Sequence, residues 1–284
     1  MTNSFDLKTY AERARAQVEE ALARALPSIV HGDDPGRLRE AMRYASEGGK
    51  RIRPLVTIAA CEAVGGALEK ALPACCALEM IHAYSLVHDD LPCMDDDAER
   101  RGKPTVHVAF GEAEAVLVGD ALLTRAFEVL AHGVAEVGLS PAGAIAAVRE
   151  LAHAAGIDGM VGGQALDISL GQDIQELATL EKVHALKTGA LYAAGGAMGA
   201  LAADAAQADV NALRQWGLQF GIAFQHADDV LDDDQPSLRA ASLARVDELV
   251  RDCDAIAERH ATRGDGLRAL SAWVRDRAHR QGST

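Results

Sequence analysis

The sequence predicts an all-α protein, read as a single domain of roughly ten helices. Three observations carry this. The 284 residues are 49% apolar but only 4% aromatic, which implies a core of Ala, Leu, Val and Ile, and Ala and Leu favour helix. Only 8 prolines interrupt the chain. No run alternates apolar and polar residues long enough to make a strand, and the even composition offers no domain boundary.

Leu7, Tyr10, Ala14, Val18, Ala21, Leu22 and Leu26 recur at helical spacing and predict a helix over 5–26, closed by Pro27. A short helix over 36–47 ends at Gly48-Gly49, and a long apolar one runs from Arg53-Pro54 to Gly65-Gly66. The next covers 71–91 and is stopped by Pro92, which cannot continue a helix. Further helices are expected at 111–137, 141–156, 173–203, 207–233, 237–262 and 265–280.

The formal net charge of −14 repels nucleic acid and anionic membrane surfaces, so no nucleic-acid partner is expected. No stretch reaches about 18 uninterrupted apolar residues, so no membrane span is expected. The first twenty residues are polar and amphipathic, unlike a signal peptide. Cys61, Cys75, Cys76, Cys93 and Cys253 are odd in number and never spaced CxxC, which argues against a disulfide framework and a zinc site. Four of them lie in apolar helical contexts and are expected to be buried; a reducing cytoplasm fits.

Two aspartate clusters stand out: Asp89, Asp90, Asp95, Asp96, Asp97 and Asp228, Asp229, Asp232, Asp233, Asp234. Each follows an apolar helix, in the echoing segments YSLVHDDL and AFQHADDVL. Carboxylates at a helix C-terminus oppose the helix dipole, at about 0.3–1 kcal/mol each. A bound cation would offset that cost. Asp228 and Asp232 share a helix face at i,i+4, whereas Pro92 lets the chain curl and return Asp95 towards Asp89. Oxygen-only ligands without a calcium-loop pattern favour magnesium. Two basic runs supply a counterpart, GGKRIRP at 48–54 and Arg100-Arg101-Gly102-Lys103-Pro104, each beside glycines that let backbone approach an anion. His82 sits two helical turns before Asp89 on nearly the same face.

These residues match a family pattern. GGKRIRP (48–54), EMIHAYSLVHDDLPCMDDDAERRGKPTVH (79–107), GGQALD (162–167), KTG (187–189) and FQHADDVLDD (224–233) resemble the trans-isoprenyl diphosphate synthases in order and spacing, over about residues 40–235. The two extra residues within the first aspartate motif resemble the bacterial farnesyl diphosphate synthase branch. The resemblance implies a helical bundle around a deep central cavity, a homodimer, and condensation of dimethylallyl or geranyl diphosphate with isopentenyl diphosphate to farnesyl diphosphate. Geranyl or geranylgeranyl diphosphate is the alternative product.

The resemblance also implies roles. Asp89 and Asp95, supported by Asp90, and Asp228, with Asp229 and Asp232 beside it, would hold three Mg²⁺ ions on the allylic diphosphate. Arg100 would contact that diphosphate, and Lys50, Arg53, His82 and Arg101 would hold the diphosphate of isopentenyl diphosphate. Lys187, Thr188 and Gln225 would stand near the reacting carbons. Tyr84, with Ser85 next to it, would line the substrate pocket. Tyr84 lies five residues before Asp89, about 7.5 Å along the helix axis, where an aromatic ring would stop chain growth at fifteen carbons.

The stretch after residue 235 departs from the family. The usual Gly-Lys and Lys-x-Thr-Tyr-Pro-like segments are missing, no lysine follows Lys187, and Arg239 is a candidate replacement charge. Three other readings compete. A terpene cyclase does not need the second diphosphate site formed by Lys50 and Arg53. A non-catalytic partner subunit tends to lose aspartates, and none is lost here. A cation-binding protein without substrate leaves the basic runs unexplained.

Overall fold

The computed structural model describes residues 5–29, 32–171 and 174–280. Among them the chain is helical almost throughout: α1 (Leu7–Ala25), α2 (Leu38–Ser46), α3 (Ile52–Ala63), α4 (Leu68–Asp89), α5 (Val106–Phe110), α6 (Glu112–Glu136), α7 (Pro141–Ala155), α8 (Met160–Leu170), α9 (Leu177–Val183), α10 (Ala190–Ala202), α11 (Gln207–Asp232), α12 (Arg239–Glu258) and α13 (Asp265–Ala278). The one sheet among these residues is a two-residue antiparallel hairpin, β1 (Glu99–Arg100) with β2 (Lys103–Pro104).

Most predicted boundaries fall within three residues of these. Local chemistry sets the ends. The Asp6 carboxylate caps α1 by accepting from the Lys8 and Thr9 amides. Ser140 caps α7 in the same way, with Pro141 in the first turn. The predicted helix over 173–203 is different. Its expected start lies outside the described residues. The rest is α9, a single π-helical turn His184–Gly189, and α10. Helix α8 was not anticipated, because Gly156, Gly159, Gly162 and Gly163 read as a joint.

Helix α4 is apolar all round and packs among α1, α3, α6 and α10. One apolar cluster takes in buried residues from α1 through α8 and α10 through α13; Ile174, Leu180 and Val183 form a smaller one. Trp216, Tyr192 and Phe220, all in the larger cluster, are the largest fully buried side chains among the described residues. The α10–α11 contact depends on missing side chains: a Cβ on Gly196 would stand 2.1 Å from the Leu213 carbonyl oxygen, and one on Gly217 would stand 2.2 Å from that of Tyr192. This close packing sets the π-helical turn directly against α11. Gly196→Ala is therefore expected to destabilise the protein by about 1–3 kcal/mol through overpacking, against the roughly 1 kcal/mol gain that Gly→Ala brings in an open helix. Urea unfolding measures the sign.

Candidate active site

A cavity of about 1230 Å³ opens between the C-terminal halves of α4 and α11, the segment before α3, the hairpin, α8 and the π-helical turn. Of the sequence-predicted site residues, thirteen line it: Lys50, Arg53, His82, Tyr84, Ser85, Asp89, Asp90, Arg100, Arg101, Lys187, Thr188, Gln225 and Asp228. Asp95, Asp229 and Asp232 do not.

The first aspartate motif curls as Pro92 predicts. The Asp95 amide donates to the Asp89 carbonyl at 2.9 Å, and the Asp96 amide to that of Leu91 at 3.2 Å. This brings the exposed Asp95 close enough to repel Asp89. Burial pushes the Asp89 carboxyl up to about 6; Lys187 across the cavity pulls it down, and Asp95 adds to the rise. Asp90, 3% exposed, accepts from Arg100 Nε at 2.6 Å. Arg100 also reaches Asp97 at 3.1 Å.

The second motif is built differently. Asp228 faces the cavity, with the exposed Asp232 one turn on. Burial raises the Asp228 pKa, and Arg277 of α13 opposes the rise by donating from Nε at 2.8 Å. Asp229 departs from the expected ligand set. Adjacent helical residues point about 100° apart, so Asp229 turns into the protein. There it is buried and accepts from Gln225 Nε2 at 3.0 Å, with His184 Nε2 2.9 Å away. Burial works against its charge, but the His184 hydrogen bond prevails and its pKa is lowered.

The cavity also has a cationic part. Among the described residues Lys50, Arg53 and Arg101 make no ion pair, although Arg101 and Arg53 crowd one another and His82. Arg53 lies over the Tyr192 ring at 5.0 Å, and its Nε is buried without a partner. Arg101 reaches the Glu47 carbonyl at 3.4 Å. Burial, reinforced by Arg53 and Arg101, drives the His82 pKa well below its ordinary value. Arg51 of the same run is structural: it is buried and paired with Glu19 and Glu79. Guanidinium groups packed together without a carboxylate in ion-pair contact fit an anion.

The π-helical turn presents Lys187 and Thr188 to the cavity. Asp167 of α8 holds Lys187 Nζ at 2.6 Å, and Thr188 Oγ1 donates to Gln225 Oε1 at 3.0 Å. Gly163 makes room for the turn, since a Cβ there would lie 2.3 Å from the Lys187 amide nitrogen. Tyr84 is 6% exposed, meets His88 edge-on at 5.9 Å, and has its pKa pushed up to about 12 by burial. Ser85 Oγ donates to the His82 carbonyl.

Three residues escaped the sequence reading. Asp167 lay within the quoted GGQALD run, and its i,i+3 spacing from Gln164 on α8 was a usable signal. His184 stands three residues before Lys187. Arg277 has no local signature. Arg239, the candidate replacement charge, lies at the α11–α12 junction, donating to the Val230 carbonyl and lying 3.5 Å from Asp233. Only residues 233–238 connect α11 to α12, in line with the shortened segment noted in the sequence.

Helical architecture with two carboxylate motifs facing a cationic wall defines a class, and the comparisons agree. The chain belongs to the polyprenyl synthetase family, whose model matches residues 35–237. It is 45% identical over 249 residues to the heterodimeric geranylgeranyl pyrophosphate synthase large subunit 1 of Arabidopsis thaliana, covering 86% of this chain but 66% of that one. The chain thus spans just under two thirds of that relative. A geranylgeranyl diphosphate synthase of Cyanophora paradoxa is 45% identical over 235 residues, 82% of this chain and 76% of its own. Among solved structures, an FPP/GFPP synthase of Zymomonas mobilis superposes with a TM-score of 0.83 at 38% identity, covering 94% of this chain and 98% of that one. A geranyltransferase of Legionella pneumophila gives 0.85 at 33% identity, covering 96% and 97%.

Arg277→Leu leaves Asp228 half-buried beside Asp232 without its cation. The variant is expected to lose about 1–3 kcal/mol of stability and to recover more of it than wild type on adding Mg²⁺, by thermal unfolding.

Proposed function

We propose that this chain is a prenyltransferase that joins an allylic diphosphate to isopentenyl diphosphate by ionisation, condensation and elimination. The observation that carries the reading is one cavity lined both by Asp89 and Asp228 and by Lys50, Arg53 and Arg101, the three cations being free of ion pairs among the described residues.

The donor set fits a hard divalent cation: carboxylate oxygens, two of them raised in pKa by burial and mutual repulsion. Asp89 and Asp95 would hold Mg²⁺ from one side, Asp228 and Asp232 from the other, and three ions are proposed. Asp229 is proposed to position Gln225 rather than to ligate. When bound, Mg²⁺ supplies Lewis-acid charge to the leaving diphosphate. Arg100 and Lys187 take up the negative charge as the allylic C–O bond breaks. The Thr188 hydroxyl and Gln225 amide present weakly basic dipoles to the carbocation, and the apolar walls exclude water. Lys50, Arg53, His82 and Arg101 orient the second diphosphate so that its double bond attacks. The proton lost in elimination leaves with the departed diphosphate.

Two observations bear on product length. Relatives named for geranylgeranyl diphosphate favour a twenty-carbon product, and this alternative is better supported than the farnesyl product expected from the sequence. Tyr84 in the cavity wall favours fifteen carbons. A homodimer is proposed from the family. The cytoplasm is proposed from the absence of disulfides among the described residues, although the Arabidopsis relative is named chloroplastic. No described helix is long and apolar enough to cross a membrane.

Incubation with Mg²⁺, dimethylallyl diphosphate and isopentenyl diphosphate, with products identified by mass, tests the reaction. Elongated diphosphates are expected, and none with any allylic primer would overturn the reading. A twenty-carbon product favours the relatives. A fifteen-carbon product that lengthens in Tyr84→Ala restores the tyrosine as the stop. Arg53→Met is expected to raise KM for isopentenyl diphosphate by about 10- to 100-fold, the worth of a hydrogen bond to a charge, with a much smaller change for the allylic substrate in steady-state kinetics.

A further inference from the structure

Behind the cavity wall lies a cluster that prenyl transfer does not use as a whole. His184 on the π-helical turn, and His226 and Asp229 on α11, bring one donor atom each to within 4.8 Å of the others, and all three are buried. The two imidazole rings meet edge to face at 4.5 Å. His226 is the unusual member. Its side chain is 0% exposed, yet neither ring nitrogen has a hydrogen-bond partner among the described residues. The Glu181 carboxylate stands 3.9 Å from His226 Nε2, beyond hydrogen-bond reach. Nδ1 of His184 lacks a partner too. Buried polar atoms in native proteins are nearly always satisfied, and a fully buried imidazole with both nitrogens unmet, beside a second imidazole and a carboxylate, calls for a ligand.

We propose that His184, His226 and Asp229 form a site for one divalent transition-metal ion of the zinc class, separate from the aspartate site facing the cavity. Two imidazoles and one carboxylate suit zinc, whereas magnesium prefers oxygen alone. The donor atoms must close in to bonds of about 2.0–2.2 Å. The His184 hydrogen moves from Nε2 to the unpartnered Nδ1, which frees the Nε2 lone pair without net proton loss. Gln225 keeps its bond to Asp229 Oδ1. Glu181, 3.9 Å from His226 Nε2 and held by Arg245 at 2.8 Å, would be the nearest further donor. No cysteine takes part, so the cysteine spacing that argues against a zinc site does not bear on this one. A metal here ties the turn that carries Lys187 and Thr188 to α11.

The test uses the full chain, stripped with a chelator and titrated with Co²⁺ in excess Mg²⁺ to keep the oxygen-only site filled. One Co²⁺ per chain is expected, with visible absorption typical of nitrogen-ligated four- or five-coordination, displaced by Zn²⁺ with a rise in Tm. His226→Gln is expected to lower the affinity by about 100-fold or more, and Asp89→Asn to leave it unchanged. Wild-type binding well below one ion per chain in excess Mg²⁺ overturns the proposal. So does affinity lost in Asp89→Asn but kept in His226→Gln. If circular dichroism finds His226→Gln unfolded, His184→Gln takes its place, and the wild-type stoichiometry decides independently.

Discussion

Like charges gathered in a partly buried cavity are the constraint on which this site depends. Burial raises the cost of charge on Asp89, and Asp95 repels it across the curl that Pro92 makes possible. Burial, reinforced by Arg53 and Arg101 beside it, drives the His82 pKa well below its ordinary value. A fold that spends stability on both groups, in an apolar shell built mostly from Ala and Leu, is poised for ligands of both signs. A dianionic or trianionic diphosphate carrying divalent cations is such a ligand, since each half of the pair relieves one wall.

The rest of the site keeps those charges from collapsing onto each other. In each aspartate pair the second carboxylate is tied down, Asp90 by Arg100 and Asp229 by His184 and Gln225. Lys187 is held by Asp167, and Asp228 by Arg277 from the last helix. The α8 glycines and the close α10–α11 seam matter for the same reason: they seat the π-helical turn, so Lys187 and Thr188 reach the cavity. Packing and chemistry meet at Gly163, where one methyl group would displace the turn.

Much of this was legible in the sequence because the signals are local. Apolar periodicity with Gly and Pro punctuation located ten helical stretches, and the aspartate and basic runs marked the two walls. What escaped depends on tertiary geometry. The glycines of α8 read as a joint, since glycine used for close approach looks the same in sequence as glycine used for a turn. The π-helical turn has the composition of ordinary helix. Asp229 was grouped with Asp228 because adjacency in sequence hides a 100° rotation on the helix. Arg277 sits 49 residues from Asp228, in a helix whose arginines look like surface charge.

The central claim is that the carboxylate wall and the guanidinium wall serve one ligand pair. Calorimetric titration of the chain with Mg²⁺, with and without inorganic diphosphate, tests it most directly. The account predicts that each ligand tightens the other at least about tenfold, a coupling of roughly 1.4 kcal/mol. Mg²⁺ affinity that is the same whether or not diphosphate is present would contradict it.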